Sequence, residues 1–432
     1  MQNKIKIEPF LNRNIIKDKS DNITFTINQP KFENIVLYLD KTYEKTTAYF
    51  TVLYVNNEYK LYYRGCPYSY YKDIHKKIYY TTDELAQHEY ICLATSNDGL
   101  NFEKKKYNIV NYNNSSNNNI LKHDLFCHNF YPFYDKNNNK YIGISGTRIY
   151  NQGLHLFESI DGIHWIHVKK ILDESHILPW KSHSNHFDSH NCILYNELEE
   201  YYYIYLRDNQ ENRFVQFTKT IDFNTFTKCQ RINIPNNNHM VLYTPGIFTY
   251  ENTNYLLSIP SIQDNSYDNK NNSTLMVSDD GINFNILTTQ LFKDNTISMN
   301  INSIVSSPDS AKMYIYTHCN IDKESFITCH SFEQNRINKI ICNGNGFIKT
   351  QLLKLINNMI ILNYETFNEG YLSIKLINNN NEVILDTHNF NGNYYNFEVK
   401  WNDNKNINAS EQYYIQFEMN NCYLYSFSYG YQ

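Results

Sequence analysis

The amino-acid sequence predicts an all-β protein, with a five-bladed β-propeller followed by a C-terminal β-sandwich. Three observations predict this fold. A turn of the form Ser-x-Asp-Gly, followed by an aromatic residue, repeats about every sixty residues. The segments between these turns read as strand, polar turn and strand. Almost none of the 432 residues read as a long amphipathic helix, while Tyr (40) and Phe (25) are abundant and Gly (13) and Pro (9) are scarce.

The repeated turn is clear in three segments and weaker in a fourth. The clear copies are "LATSNDGLNFEKKK" at 93–106, "LFESIDGIHWIHVKK" at 156–170 and "LMVSDDGINFNILTT" at 275–289. The weaker copy is "FTKTIDFNTFTKCQ" at 217–230. The repeated aspartates are Asp98, Asp161, Asp222 and Asp280, which are 63, 61 and 58 residues apart. Unrelated hairpins can share Asp-Gly turns, but a near-constant period of this size favours stacked supersecondary units.

Each copy predicts a tight turn between two antiparallel strands. The Asp side chain can hydrogen-bond to the backbone, Gly supplies positive φ, and the aromatic residue packs behind the turn. Five further strand pairs are predicted between these hairpins, at 48–65, 129–147, 191–208, 241–260 and 302–319. Together the hairpins give five four-stranded blades around an axis over residues 31–330, after an N-terminal extension of residues 1–30.

The pattern changes from about Arg336 onward. The segments "GFIKTQLLKL", "NMIILNYET", "EGYLSIKLIN", "YYIQFEMNN" and "CYLYSFSYG" alternate or run apolar without the Asp-Gly turn. Short strands separated by polar turns are typical of a β-sandwich. We therefore expect residues 331–432 to form a separate β-sandwich domain.

Composition excludes several classes of partner. The formal net charge is −5 and no long basic run occurs, so nucleic acid is a poor candidate. No stretch approaches the ~20 apolar residues of a membrane span, and the start "MQNKIKIEPFLNRN" lacks the apolar segment of a signal peptide. The nine Cys residues are scattered singly, which favours reduced thiols and a cytoplasmic location. The wealth of Asn, Ile, Lys and Tyr is typical of AT-rich genomes, among them viral ones, so a virion or host cytoplasm is an alternative location.

Several segments together resemble one superfamily. These are "LYYRG" (61–65), "EYICLATSNDGLNF" (89–102), "HNFYPF" (128–133), "FDSHNCILY" (187–195) and "CYLYSF" (422–427). With the blades and the C-terminal domain, they resemble the five-bladed propeller glycoside hydrolases, which include invertases, levansucrases and arabinanases, and more closely a family 32 N-terminal-like group. The resemblance implies a pocket at one end of the propeller axis, a carbohydrate substrate or glycan ligand, no cofactor, and two carboxyl groups that cleave an O-glycoside.

The catalytic pattern of that superfamily carries over only in part. Asp188, in "FDSHN", stands where the blade 3 stabilising Asp is expected, although it could instead cap the strand entrance. In blade 4, Tyr243 of "YTPGIF" stands in place of the acid, and "TAYFTVLY" (47–54) of blade 1 has no Asp. Asp40 and Glu89 are therefore the candidate partners of Asp188. The alternatives without a catalytic role are that Asp40 is an ordinary loop carboxylate and that Glu89 is a solvated residue at a strand edge.

The candidate substrate-binding residues stand at strand ends that a propeller turns toward its axis. They are His128, Asn129, Arg64, Arg207, Tyr243 and His190. Amide and imidazole groups can hydrogen-bond sugar hydroxyls, and His128 could also act as a general acid. An Arg could pin a sugar carboxylate, orient Asp188, or form a salt bridge between blades. The segment "HSNHFDSH" holds zinc-type ligands, but strand alternation separates them, so we predict no metal.

Two main functional hypotheses remain open from the sequence, beside a weaker third in which the propeller binds other proteins. The first is a glycoside hydrolase-like protein acting on an O-glycoside, in which Asp188 stabilises an oxocarbenium-like transition state. The second is a catalytically lapsed propeller that binds glycans or serves as a structural, virion-associated protein, because two of the three invertase-type carboxylates are missing. The sequence leaves the sugar, the linkage, the stereochemical outcome and the oligomeric state open.

Overall fold

The computed structural model describes residues 4–44, 47, 49–67, 89–124, 126–127, 129–147, 153–178, 187–197, 199–208, 213–237, 240–262, 273–292, 297–298, 301, 303–321, 324–403 and 405–431. These residues form strands and turns, with a single 3₁₀ turn at Arg13–Ile15. They divide into two compact units. The propeller unit comprises Pro30–Thr249 and Leu256–Ser331, and the terminal unit comprises Met1–Gln29, Tyr250–Tyr255 and Phe332–Gln432.

The predicted five-bladed β-propeller is confirmed. Blades 1 to 4 are antiparallel four-stranded sheets in simple chain order. Blade 1 consists of Phe50–Val55, Glu58–Gly65, Tyr90–Ser96 and Ile120–Lys122. Blade 2 consists of Tyr131–Asp135, Lys140–Thr147, Gly153–Ser159 and Ile166–Leu172. Blade 3 consists of Cys192–Asn196, Tyr201–Asp208, Phe214–Thr220 and Gln230–Arg231. Blade 4 consists of Ile247–Thr249, Leu256–Ser258, Leu275–Ser278 and Asn285–Thr288.

Blade 5 closes the ring with strands from both ends of the propeller unit. Its inner edge is formed by Ile297–Ser298 and Ile304–Ser306, which both pair with Lys312–Ile321. Glu324–Glu333 follows, and the outermost strand is Lys31–Tyr38 from the other end of the unit. The strand that precedes blade 1 in the sequence thus belongs to blade 5, the last blade. A strand of this kind is a common way to close a ring of blades.

The first strand of each blade lies nearest the axis. The first strands of blades 1 and 2, 2 and 3, 3 and 4, and 5 and 1 contact one another. Buried apolar residues fill the space between neighbouring blades, for example around Tyr203, Phe217 and Phe284 in blades 3 and 4. Residues at the start of a first strand, and residues opposite them on the second strand, are therefore gathered around one axial position.

The repeated Ser-x-Asp-Gly turns have the predicted hydrogen bonding. In blade 2, Asp161 Oδ1 accepts the N–H groups of Ile163 and His164, both at 2.8 Å. Ser159 Oγ accepts the Gly162 N–H at 2.9 Å, and Gly162 has a φ of +74°. These bonds fix the chain reversal that starts the outermost strand.

A tyrosine of the neighbouring blade docks onto each glycine of these turns. The Tyr62 hydroxyl of blade 1 donates to the Gly162 carbonyl of blade 2 at 2.8 Å. The same bond joins Tyr205 of blade 3 to Gly281, and Tyr316 of blade 5 to Gly99. Part of the high tyrosine content therefore links one blade to the next.

The terminal unit is a nine-stranded antiparallel sheet. Its strands are Lys4–Glu8, Ile16–Lys19, Ile23–Ile27, Asn338–Thr350, Leu353–Lys354, Ile360–Asn378, Val383–Asp386, Asn393–Glu398 and Gln412–Tyr431. The three long strands change register part-way, for example between Thr366 and Tyr371. Such bulges bend strands, and the sheet encloses a core that includes Phe10, Tyr364 and Phe417.

The chain's first residues are integral to this sheet, whereas the sequence treated residues 1–30 as a separate extension. Lys4–Glu8 pairs with Gln412–Tyr431, and Ile23–Ile27 pairs with Asn338–Thr350. The Glu8 carboxylate is buried and accepts the Tyr255 hydroxyl and the Phe10 N–H. In the part of the chain that the structure describes, no helix is long and apolar enough to cross a membrane.

Candidate functional site

The candidate site lies where the first strands of the propeller begin. In blade 3, Asp188 and His190 immediately precede Cys192–Asn196, and Arg207 is near the end of the strand paired with it. In blade 1, Arg64 has the corresponding place on Glu58–Gly65, where its N–H donates to the Tyr49 carbonyl at 3.0 Å. The pairing of the first and second strands in blades 1 and 3 thus places charged side chains at one end of the axis.

Two buried ion pairs form the charged part of this site. Arg207 Nη1 lies 3.8 Å from Asp188 Oδ2, and Arg64 Nη1 lies 3.2 Å from Glu89 Oε1. All four residues are at most 6% exposed, and Glu89 is fully buried. An adjacent guanidinium favours the charged form of a carboxyl group, and a charged carboxylate can stabilise positive charge.

Tyr49 connects the two ion pairs. Its ring stacks on His190 with centroids 5.0 Å apart, and the Arg64 guanidinium lies 5.0 Å from its centroid. The pKa of Tyr49 is raised, first by burial and then by the neighbouring Tyr243 and Asp188, against the opposing charges of Arg207 and Arg64. Tyr49 therefore contacts Arg64 directly, and the charges of Asp188 and Arg207 reach its phenol, which places both ion pairs near one residue.

The two buried histidines of the site are neutral near pH 7. Burial is the largest cause that lowers the pKa of His190 to about 3, with the charge of Arg64 acting in the same direction. The His190 Nε2 lies 3.2 Å from the Phe130 carbonyl, so it carries the proton. Burial, again helped by Arg64, lowers the pKa of His318 to about 3, and its Nε2 lies 2.7 Å from Ser325 Oγ. Neither imidazole is suited to be a general acid at neutral pH.

Two guanidinium groups lie against the Tyr243 ring. The Arg207 Cζ is 4.9 Å from its ring centroid, and the Arg213 Cζ is 4.8 Å from it. The Tyr243 carbonyl accepts the Ser189 hydroxyl at 3.3 Å, which ties it to the segment that carries Asp188. The residue that replaces the expected blade 4 acid is therefore next to Arg207.

Asn129 holds the segment before Asp188 in place. Its amide donates to the Phe187 carbonyl at 3.1 Å, and its carbonyl accepts the Gly146 N–H at 3.2 Å. Asn191 donates to the same Phe187 carbonyl at 3.0 Å. Gly146 allows this close approach, because a Cβ there would lie 2.2 Å from the Phe187 oxygen. Asn129 therefore binds the backbone of Phe187 and of Gly146.

Asp40 is placed with surface lysines rather than with the ion pairs. Its side chain is 57% exposed and lies 2.7 Å from Lys104 Nζ and 3.1 Å from Lys41 Nζ. Burial would raise the pKa of Asp40, but hydrogen bonds from Lys104 and Lys41 lower it to about 2. Nearby, the fully buried Glu44 accepts the Tyr63 hydroxyl at 2.5 Å, and burial raises its pKa.

The structure therefore brings most of the sequence-derived candidates together. Asp188, Glu89, Arg64, Arg207, Tyr243 and His190 share the axial site. His128, like His183 and His186 of the considered zinc cluster, lies outside the described residues. Within the described residues, no group of three His, Cys, Asp or Glu side chains could hold a metal ion. Sequence reasoning missed Tyr49, Arg213 and His318; Tyr49 directly precedes the first strand of blade 1, the same signal that identified His190.

Comparisons with known proteins return similar structures but no similar sequences. No protein-family model matches the chain, and no curated protein matches it. Among solved structures, an N-acetylgalactosamine deacetylase from F. plautii is 12% identical over 72% of this chain and 96% of its own, with a TM-score of 0.49. A family 43 arabinoxylan arabinofuranohydrolase from Bacillus subtilis is 9% identical over 91% of this chain and 96% of its own, with a TM-score of 0.44. A family 32 β-fructofuranosidase from Bombyx mori is 11% identical over 94% of this chain and 95% of its own, with a TM-score of 0.45.

Proposed function

We propose that the protein is glycoside hydrolase-like and acts on an O-glycoside in the axial site of its propeller. The observation that carries this proposal is the convergence of Asp188 and Glu89, each held by an arginine, beside the phenols of Tyr49 and Tyr243. Carboxylates, guanidinium groups and aromatic rings together can hydrogen-bond sugar hydroxyls and cover apolar sugar faces.

Asp188 is the proposed stabilising carboxylate. It pairs with Arg207, and a buried carboxylate lowers the energy of the positive charge that develops on a sugar ring during glycosidic cleavage. Glu89 is the proposed second carboxylate. Asp40 is less suited to that role because it is largely exposed and bound to two lysines.

A second candidate function, glycan binding without hydrolysis, is favoured by a specific observation. A glycosidase needs one group that donates a proton to the leaving oxygen. At the axial site both described carboxylates contact a guanidinium, and both described histidines are neutral. A catalytic protein would therefore take its proton from another group.

The test compares hydrolysis and binding across a panel of oligosaccharides and aryl glycosides. Asp188→Asn and Glu89→Gln should each lower hydrolysis by about 100-fold or more, because each removes a charge that stabilises the transition state. Glu58→Gln is the matched control: Glu58 is in the same blade as Arg64, but its side chain is partly exposed and paired with Lys60 and Lys105.

The outcomes separate the two candidates. Hydrolysis that depends on Asp188 supports the enzyme, and saccharide binding without hydrolysis supports the binding protein. If no saccharide in the panel binds or is cleaved, both are refuted. Melting temperatures of the variants exclude loss of folding as the cause.

A further inference from the structure

Among the described residues, one edge of the Arg207 guanidinium has no hydrogen-bond acceptor. Arg207 is 4% exposed, and its Nε and Nη2 are buried without a hydrogen-bond acceptor in the part of the chain that the structure describes. Its third nitrogen, Nη1, faces Asp188 at 3.8 Å. Buried donors of this kind are almost always paired in native proteins, because an unpaired buried donor loses its hydrogen bonds to water without replacing them.

The geometry of the unpartnered edge is specific. The Nε–H and Nη2–H bonds run parallel along one side of a guanidinium, and this side matches the two oxygens of a planar anion. A single sugar hydroxyl would satisfy only one of the two donors. The edge therefore fits a carboxylate better than it fits a neutral sugar group.

The surroundings of this edge also favour an anion. The Arg213 guanidinium lies against the same Tyr243 ring as Arg207, on which the two cations are 4.8 and 4.9 Å from the centroid. His190 contributes no charge at neutral pH. Arg213 thus adds a second cation on the Tyr243 ring, and cations raise the local potential that attracts negatively charged ligands.

We propose that the ligand of the axial site is an acidic saccharide whose carboxylate binds the Nε and Nη2 edge of Arg207. This proposal rests on the proposed function and names its substrate class: glycosides that contain a uronic-acid type of residue. In such a complex Arg207 bridges two carboxylates, that of Asp188 through Nη1 and that of the ligand through Nε and Nη2.

The test uses matched saccharide pairs that differ only in the carboxyl group. The probes are oligogalacturonides and glucuronic acid-containing oligosaccharides, each beside its carboxyl-reduced neutral form, with sulfated oligosaccharides and sodium acetate as further arms. Calorimetric titration of the unaltered protein should show binding of the acidic member at least about tenfold tighter than its neutral form, which is the effect of one charged hydrogen-bonded contact.

Arg207→Lys keeps the charge and removes the parallel donors, so it should lose most of this preference. Arg231→Lys is the matched control in the same blade, because Arg231 also pairs with a buried carboxylate, Asp208, at 3.3 Å and lies over the Phe214 ring. It should keep the preference. Arg207→Met, checked by its melting curve, provides a second variant without the charge.

Each other outcome overturns the proposal in a recognisable way. Equal affinity for the acidic and neutral members, or a preference that survives in Arg207→Lys and Arg207→Met, refutes the carboxylate assignment while the proposed function stands. Tighter binding of sulfated than of carboxylated saccharides also refutes it. Binding of acetate without any saccharide, or no binding at all, refutes the proposed function as well.

Discussion

The buried histidines predict a steep loss of stability in mildly acidic solution. His190 is fully buried and His318 is 2% exposed, and the pKa of each is about 3 in the folded protein, against 6.5 for an ordinary imidazole. Between these two values the unfolded chain binds a proton that the folded chain does not. Stability is therefore fully present above pH 6.5 and falls as the pH decreases toward 3.

The size of the effect follows from the two pKa values. Each histidine makes the free energy of unfolding depend on pH with a slope approaching 1.36 kcal/mol per pH unit below pH 6.5. Between pH 7 and pH 5 this gives a loss of about 2 kcal/mol per histidine, or about 4 kcal/mol for both. Carboxylates of the turns, such as Asp161, have lowered pKa values and contribute only at lower pH.

Urea unfolding followed by fluorescence between pH 5 and pH 7 measures this loss. His190→Gln keeps a donor for the Phe130 carbonyl and removes the titrating ring, so it should reduce the pH-dependent loss by about 2 kcal/mol. His318→Gln should do the same independently, and the exposed His164→Gln should leave the loss unchanged. A wild-type protein whose stability is flat from pH 7 to pH 5, or a loss unchanged in both buried variants, would refute the reasoning.

Two further predictions concern blade contacts and the axial ion pair. Gly162→Ala should destabilise the protein by more than Gly344→Ala, because both glycines have a φ of +74° but only at Gly162 would a Cβ meet another atom, the Tyr62 hydroxyl at 2.5 Å. Positive φ alone costs about 1–2 kcal/mol, so equal losses in chemical denaturation would contradict the blade contact. Arg64→Met should cost about 3–5 kcal/mol, because it breaks the buried ion pair with Glu89, and Arg64→Met with Glu89→Gln should recover most of this loss. A double variant as unstable as the single one would show that the charge of Glu89 is not the cause.

Local sequence patterns predicted much of the propeller. The Ser-x-Asp-Gly turns depend on contacts within four residues, such as Asp161 to His164, so their chemistry is readable in one short segment. The strand pairs between the repeated turns then indicated the number of blades, and the polar residues before Cys192 predicted that Asp188 lies near the axis. Each of these inferences needed only neighbours in sequence.

The rest depended on contacts between distant parts of the chain. The closing strand Lys31–Tyr38 pairs with Glu324–Glu333. Likewise, Lys4–Glu8 pairs with Gln412–Tyr431. No local sequence pattern indicates which distant strand each of them pairs with. Asp40 and Glu89 looked equivalent as strand-end carboxylates. Their surroundings distinguish them, since Glu89 is buried against Arg64 and Asp40 is exposed between two lysines.

The axial assignment can be decided by a crystal structure of the protein soaked with the tightest-binding saccharide of the panel. We predict a sugar ring within hydrogen-bond distance of Asp188, beside Tyr243, with its carboxylate on the Nε and Nη2 edge of Arg207. The same structure would give the separation of the Asp188 and Glu89 carboxyl groups, which is about 5–5.5 Å in retaining and 6.5–9.5 Å in inverting glycosidases. A saccharide bound elsewhere, with the axial residues untouched, would contradict the account.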